Sequence, residues 1–197
     1  MRNPVAGIAL AVAAACADAA PDVFRVEPDL TATRFAVNEL GIVRQRGRFQ
    51  RTWGAIVLDP ARAAGRVDFI IDTTSVVTGW ALRDRFLRGE NMFDVERFPA
   101  IRFRSTHLSY AAAQLVAVDG EVTLRGVTRP VRLDVRRLQC GRVPAHGREE
   151  CDAEVATTIS RAAFGMTYAY PLVGDEIDLD FAITAFRVRD SGETEPP

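Results

Sequence analysis

Few residues in this 197-residue chain could do chemistry, and their spacing argues against most reactions. Only two histidines occur, His107 and His146, and neither belongs to a His-Glu-x-x-His pattern. There is no Gly-x-Ser-x-Gly elbow, no phosphate-cradling loop and no Gly-x-Gly-x-x-Gly turn. Asp72 and Asp84 could serve as a paired acid and base. However, Asp72 ends a strand-like run, His107 ends another, and Asp84 stands between Arg83 and Arg85, so structural ion pairing suits the two carboxylates better. Cys140, Cys151 and His146 could hold a metal, but no fourth ligand is evident and the spacing matches no common zinc site. The expectation from these residues is no metal, no cofactor and no catalytic residue, so an enzyme is possible but unsupported.

The cysteines suggest a different role. Cys140 and Cys151 flank Gly141 to Glu150, which is rich in Gly, Pro and charge and reads as a loop closed by a disulfide. The N-terminus agrees with an oxidising destination. Arg2 supplies a positive start, Val5 to Ala15 an apolar run too short to span a bilayer, and Ala17-Asp18-Ala19 a small-residue cleavage site before Ala20. Residues 1–19 therefore read as a cleaved signal peptide, with no stable membrane span. Lipidation of Cys16 is the less favoured alternative, because the leucine usual three positions earlier is absent. About 178 residues then remain, enough for one domain with a substantial core. The net charge of −1 argues against nucleic acid as a partner. All 25 basic residues are arginine, and Arg44, Arg46 and Arg48 alternate on one face of an extended segment, as on a solvated strand.

Period-two alternation must position whatever site exists, and it recurs almost throughout. Thr31, Thr33, Phe35 and Val37 share one face; Ala36 falls on the other, as does Ala55 relative to Ile56. Val67, Phe69 and Ile71 follow, then a long run through Val116, Val118, Gly120, Val122 and Leu124. A turn from Gly126 to Pro130 leads into Val131, and Ile177, Leu179, Phe181 and Ile183 close the pattern. Such strands suit an all-β fold, a closed antiparallel lipocalin-like barrel of about eight strands. One short helix, Gly79 to Arg88, would lie across it, capped by Thr78 and ended by Gly89, with Leu82 and Phe86 stacked on one face. Arg161, Phe164 and Gly165 should shape a turn at one end, with Arg161 bound to a carboxylate or to carbonyls. The barrel would occupy residues 20–189, and residues 190–197 lack apolar anchors and read as a disordered tail.

Four blocks in order narrow this further: Arg83 to Phe103, with its charged pair Arg83-Asp84, helical turn, aromatic corner and Pro99; Leu124 to Val131, with Gly126 and Pro130; Ile159 to Met166, with Arg161, Phe164 and Gly165; and Val173 to Ile177. Together they resemble the signature of the YceI-like family, secreted bacterial β-barrels that hold long isoprenoid lipids, over roughly Phe24 to Ala185. The resemblance implies a periplasmic or secreted carrier whose apolar lumen holds a polyisoprenoid such as a quinone tail. Its candidate lining is Phe35, Val37, Phe49, Ile56, Phe69, Ile71 and Phe103, with Val118, Gly120, Val122 and Phe181; Leu82, Phe86 and Phe93 would cover it. A stress-related interaction protein with a barrel filled by its own side chains, and an enzyme acting on a bound lipid, stay open, as does a homodimer. The chain departs from the family where histidines are common. Leu30-Thr31, Glu39 and Phe86 stand at those positions, and Gly89-Glu90-Asn91-Met92-Phe93-Asp94 replaces a Ser-x-Asp-Phe-Phe-Asp run. Those changes fall on head-group recognition.

Overall fold

The computed structural model describes residues 21–144 and 147–188. Its strand segments are β1 (Asp22–Val26), β2 (Ala32–Glu39), β3 (Val43–Phe49), β4 (Thr52–Asp59), β5 (Ala64–Asp72) and β6 (Val76–Val77). They continue as β7 (Ala100–Ala111), β8 (Gln114–Leu124), β9 (Val127–Val143), β10 (Arg148–Ser160) and β11 (Val173–Arg187). One α-helix, α1 (Ala81–Arg88), stands between β6 and β7 among the described residues. The proposed signal peptide, Cys16, His146 and the 190–197 tail lie outside the described residues.

All pairings are antiparallel, and the ring β1-β4-β5-β7-β8-β9-β10-β11 closes because β11 also pairs β1. The result is the eight-stranded barrel that the alternation predicts. Three ring positions hold strands broken in two. β1 passes into β2 through a turn at Pro28–Leu30, β3 into β4 at Gln50 and Arg51, and β5 into β6 through Thr73–Ser75. Broken strands leave backbone groups that need partners, and buried hydroxyls supply them. Ser75 Oγ accepts from the N–H groups of Gln50 (3.1 Å) and Arg51 (3.2 Å) and donates to the Asp72 carbonyl. Thr33 and Thr52 share a hydrogen bond of 2.9 Å, and Thr73 donates to the Phe98 carbonyl.

The two halves of the barrel are packed differently. At one end Phe24, Val26, Ile56, Leu58, Leu108, Leu115 and Val118 join in a continuous apolar cluster. At the other, Phe49, Ile71, Phe93, Ile101, Leu124 and Met166 line the wall around a space. β9 and β10 pair only from Asp134 opposite Ala156 towards their hairpin. Pro130 stands beyond that point, where β9 has a neighbour on one side only, a setting that tolerates a residue without an N–H.

Local details differ from the sequence reading. The turn is not Gly126 to Pro130 but the two residues Arg125 and Gly126, both at positive φ (51° and 73°), and Pro130 is already in β9. Val127 pairs Leu124 directly, so the hairpin is tighter than expected. His107 lies within β7 just after a bulge, not at a strand end. The helix begins at Ala81, and Thr78 does not cap it; its hydroxyl donates to Asp84 Oδ1 (2.5 Å), which also accepts the Thr78 N–H (2.7 Å). Asp84 is therefore satisfied by Thr78 rather than by a neighbouring arginine. Asp72 does take an arginine, Arg51, at 2.6 Å. Ala36 faces away from the lumen but is 6% exposed, since it is small and flanked by its cross-strand partners Arg46 and Asp178.

Cys140 and Cys151 form a disulfide and are direct cross-strand partners, with Cα atoms 4.1 Å apart. The segment between them is largely hairpin rather than loop, as β9 runs to Val143 and β10 starts at Arg148. By loop-closure entropy, removing the bridge with Cys140→Ser and Cys151→Ser should cost about 3 kcal/mol in urea denaturation. Thiol titration in urea without reductant should find neither residue reactive.

Candidate functional site

The open half of the barrel encloses a cavity of about 350 Å³ whose wall is almost entirely apolar. Alternation on the paired strands β2, β3, β10 and β11 creates it. Phe35 and Val37 from β2 face Thr157 and Ile159 from β10 across Ile177, Leu179 and Phe181 of β11. Phe69, Ile71, Phe103 and Val122 complete the far wall, while Phe86 and Leu87 from α1 and Met92 and Phe93 after it cover the space. Phe35, Phe49 and Phe93 form an aromatic chain, with ring centroids 5.6 and 5.3 Å apart.

Glycines keep the wall thin where rings lie against it. Gly47 is the cross-strand partner of Phe35, and a Cβ there would stand 2.3 Å from Phe35 Cζ. Gly54 pairs Phe69 in the same way, with 2.5 Å to its ring. A ring laid flat on a glycine leaves the lumen clear; a ring pushed off it must enter the lumen.

Most of the candidate lining residues come together here, but four do not. Gly120 points inward and is covered by the Phe103 ring, 2.6 Å from where its Cβ would be, so it is part of the wall rather than of the open surface. Ile56 and Val118 also point inward, at the packed end where no space remains. Leu82 is exposed on the outer side of α1. Sequence reasoning missed Ile101, Leu133, Val155, Ile177, Leu179 and Ile183. Their signal was the same alternation, read only at its largest residues.

The mouth is polar and internally bonded. Arg83 donates through Nε to Thr78 Oγ1 (2.9 Å) and through a terminal nitrogen to Gln45 Oε1, and Gln45 Nε2 donates to Glu39 Oε2 (2.7 Å). Glu39, Gln45, Thr78 and Arg83 all border the cavity. Among the described residues no cluster of three or more His, Cys, Asp or Glu could hold a metal.

Arg161 braces this end. It is 2% exposed at the end of β10, and its guanidinium donates to the carbonyls of Gly174 (2.8 Å), Met166 (2.6 Å), Tyr168 (2.9 Å) and Val173 (2.7 Å). Burial pulls its proton affinity below the usual arginine value, and the nearby Asp175 charge opposes that. Asp175 itself is held below the ordinary carboxylate range by a hydrogen bond with Ser160 and by the Ala162 N–H. Phe164 is buried beside Met166, and Gly165 takes positive φ to end the short turn Ala162–Phe164. Arg125 ties the next hairpin to this turn by donating to the Gly165 and Glu90 carbonyls, both at 3.1 Å.

Comparison with known proteins places these features in context. The YceI-like domain matches residues 24–185. A UPF0312 protein of Shewanella sp. (strain W3-18-1) is 29% identical over 188 residues, covering 95% of this chain and 97% of that protein. Among solved structures, Burkholderia cenocepacia BcnA superposes with a TM-score of 0.66 at 23% identity, covering 81% of this chain and 98% of its own. A polyisoprenoid binding domain from Saccharophagus degradans, described as implicated in plant cell wall breakdown, gives 0.62 at 18% identity over 84% and 98%.

Two outcomes test the site's construction. Gly47→Val should cost about 1–3 kcal/mol by driving Phe35 off its partner, whereas Ala55→Leu on the exposed outer face should leave the denaturation midpoint unchanged. Arg161→Met should cost at least about 3 kcal/mol in urea denaturation, because four inward carbonyls lose their donor. Arg161→Lys should recover only part of that loss, as an ammonium lacks the planar fork.

Proposed function

The chain belongs to the YceI-like domain family, and on that premise we propose that it is a lipid carrier holding the apolar tail of a polyisoprenoid-type molecule in the open half of its barrel. The observation that carries this reading is the cavity of about 350 Å³, lined by side chains that offer a ligand almost no hydrogen bond. Such a surface selects for hydrocarbon. Each buried methylene contributes about 0.8 kcal/mol, so a tail of a few isoprene units binds tightly through burial alone. The likeness to a solved polyisoprenoid binding domain supports the same ligand class. So does the half-filled lumen: a barrel whose only task was to present its outer surface has no need of a space at one end.

We place the carrier in the bacterial periplasm or outside the cell. The signal-like N-terminus motivates that location, and a disulfide persists best in an oxidising compartment. The polar mouth is where a head group would rest, beside Glu39, Gln45 and Arg83.

Native mass spectrometry of protein purified without detergent tests this reading. The parent should carry a bound lipid. Leu179→Trp, which fills the cavity between Phe35 and Thr157, should lose it while its far-ultraviolet circular dichroism stays that of the parent. A parent with no bound lipid that also fails to take up an isoprenoid quinone from micelles would refute the carrier reading.

A further inference from the structure

The tunnel mouth is ringed by exposed apolar side chains that holding a lipid does not require. Leu40, Ile42 and Val43 form the tip of the β2–β3 hairpin, where Ile42 is 85% exposed. The Leu40 N–H donates to the Leu172 carbonyl (2.7 Å), so this tip is seated against the 166–172 loop. In that loop Tyr170 and Leu172 are 64% and 60% exposed. The Tyr168 ring lies 4.8 Å from Phe86 on α1, and exposed Leu82 stands one helical turn before Phe86. Elsewhere the exposed large apolar residues occur singly or as pairs on the barrel wall, as with Trp53 and Ile70. A clustered rim of this kind marks an interaction surface.

The charges beside the rim indicate what it meets. Arg46 and Arg48 follow the tip on the outer face of β3, and Arg85 is exposed on α1. Among the described residues none of the three lies within ion-pair distance of a carboxylate, whereas Arg44 is paired with Asp178 at 2.6 Å. Arg48 stands directly opposite Arg34, whose other cross-strand partner is Asp180, so the outer face here carries two arginines to one carboxylate. Apolar tips, tyrosines at their base and unpaired arginines behind them match the layering of an anionic bilayer surface.

We propose that the rim is a membrane-docking surface: Ile42, Tyr170 and Leu172 enter the interfacial layer of an anionic bilayer while Arg48 and Arg85 meet its phosphates. This rests on the carrier reading and extends it, because the tunnel then opens directly onto lipid. A polyisoprenoid tail passing from bilayer to tunnel would not cross water, so its apolar surface is never exposed during transfer.

Co-sedimentation of the mature protein with phosphatidylcholine vesicles, with and without phosphatidylglycerol, tests the proposal. A Trp53→Phe background leaves Trp80, which is exposed and stacks on the mouth residue Arg83, as a fluorescence reporter. The parent should bind the anionic vesicles with a blue shift of Trp80 emission. Ile42→Asp combined with Leu172→Asp should weaken binding at least about tenfold. Arg48→Glu with Arg85→Glu should weaken it about tenfold, as should high salt. All these rim variants should retain tunnel lipid as the parent does. Leu179→Trp should bind vesicles normally, so that failure of the tunnel and failure of the rim are read separately. No vesicle binding by the parent, or equal binding by the rim variants, overturns the proposal. It also fails if Ile42→Asp converts a dimer to a monomer in sedimentation equilibrium with vesicle binding unchanged, which would make the rim a homodimer interface.

Discussion

One buried guanidinium organises the open end of this barrel. Arg161 spends its donors on carbonyls spread from Met166 to Gly174, and its own N–H reaches the Asp175 carbonyl. A chain segment without regular structure cannot pair its own backbone, and those of its carbonyls that face inward beside an apolar cavity have little water to turn to. Arginine answers both needs at once, since its fork can meet several acceptors in fixed directions. With that segment fixed, β11 can start at Val173 opposite Glu39 and pair β10 on its other side. The mouth residues Tyr168, Ala169 and Val173 take their places as a consequence.

Holding a cavity open is the harder problem, because an eight-stranded barrel is just wide enough for side chains to fill. This chain fills one half and leaves the other open with the same apolar residue types. The difference lies in where rings can lie down. Gly47 and Gly54 let Phe35 and Phe69 rest against their own wall, and Gly120 does the same for Phe103. At the packed end inward residues from both sides of the barrel, such as Leu58, Leu108, Cys151 and Ala185, join one apolar cluster instead. Those contacts stabilise the barrel independently of any ligand, so the open half can give up packing without loss of the fold.

That division explains what could be read from the sequence. Period-two alternation identifies strands and the face each residue takes, so Phe35, Val37, Phe49 and Phe181 were legible as inward residues. Alternation carries no information on depth along the barrel. Ile56 and Val118 obey the same rule and sit at the filled end, because depth depends on register across several strands. Gly120 belongs to the expected lining because it aligns with inward Val118 and Val122, yet the space its missing side chain leaves is what Phe103 occupies. Leu82 shares the helical face of Phe86, but α1 is only eight residues long and its first turn projects beyond the barrel. The disulfide is legible because two cysteines flank one short polar segment behind a signal-like N-terminus; that the intervening residues are largely strand is not, as glycine, proline and charge resemble a loop.

On the carrier reading, the two parts of the site divide the work of recognition unequally. Apolar contacts are non-directional, so the tunnel responds to the bulk and length of a tail and not to its chemistry. Apart from the Thr157 hydroxyl in the wall, the directional groups a ligand can reach lie mainly at the mouth, and there they are largely engaged already. Both polar atoms of the Gln45 side chain are engaged, one by Arg83 and one by Glu39, and the Thr78 hydroxyl lies between Arg83 and Asp84. A head group arriving at this cluster exchanges one hydrogen bond for another, which gains far less than satisfying an orphaned group. Where the family resemblance expects histidines, Glu39 and Phe86 stand here, a carboxylate and a ring. Discrimination between ligands therefore falls to the wall of the tunnel, where a change of one side chain alters the volume a tail can occupy.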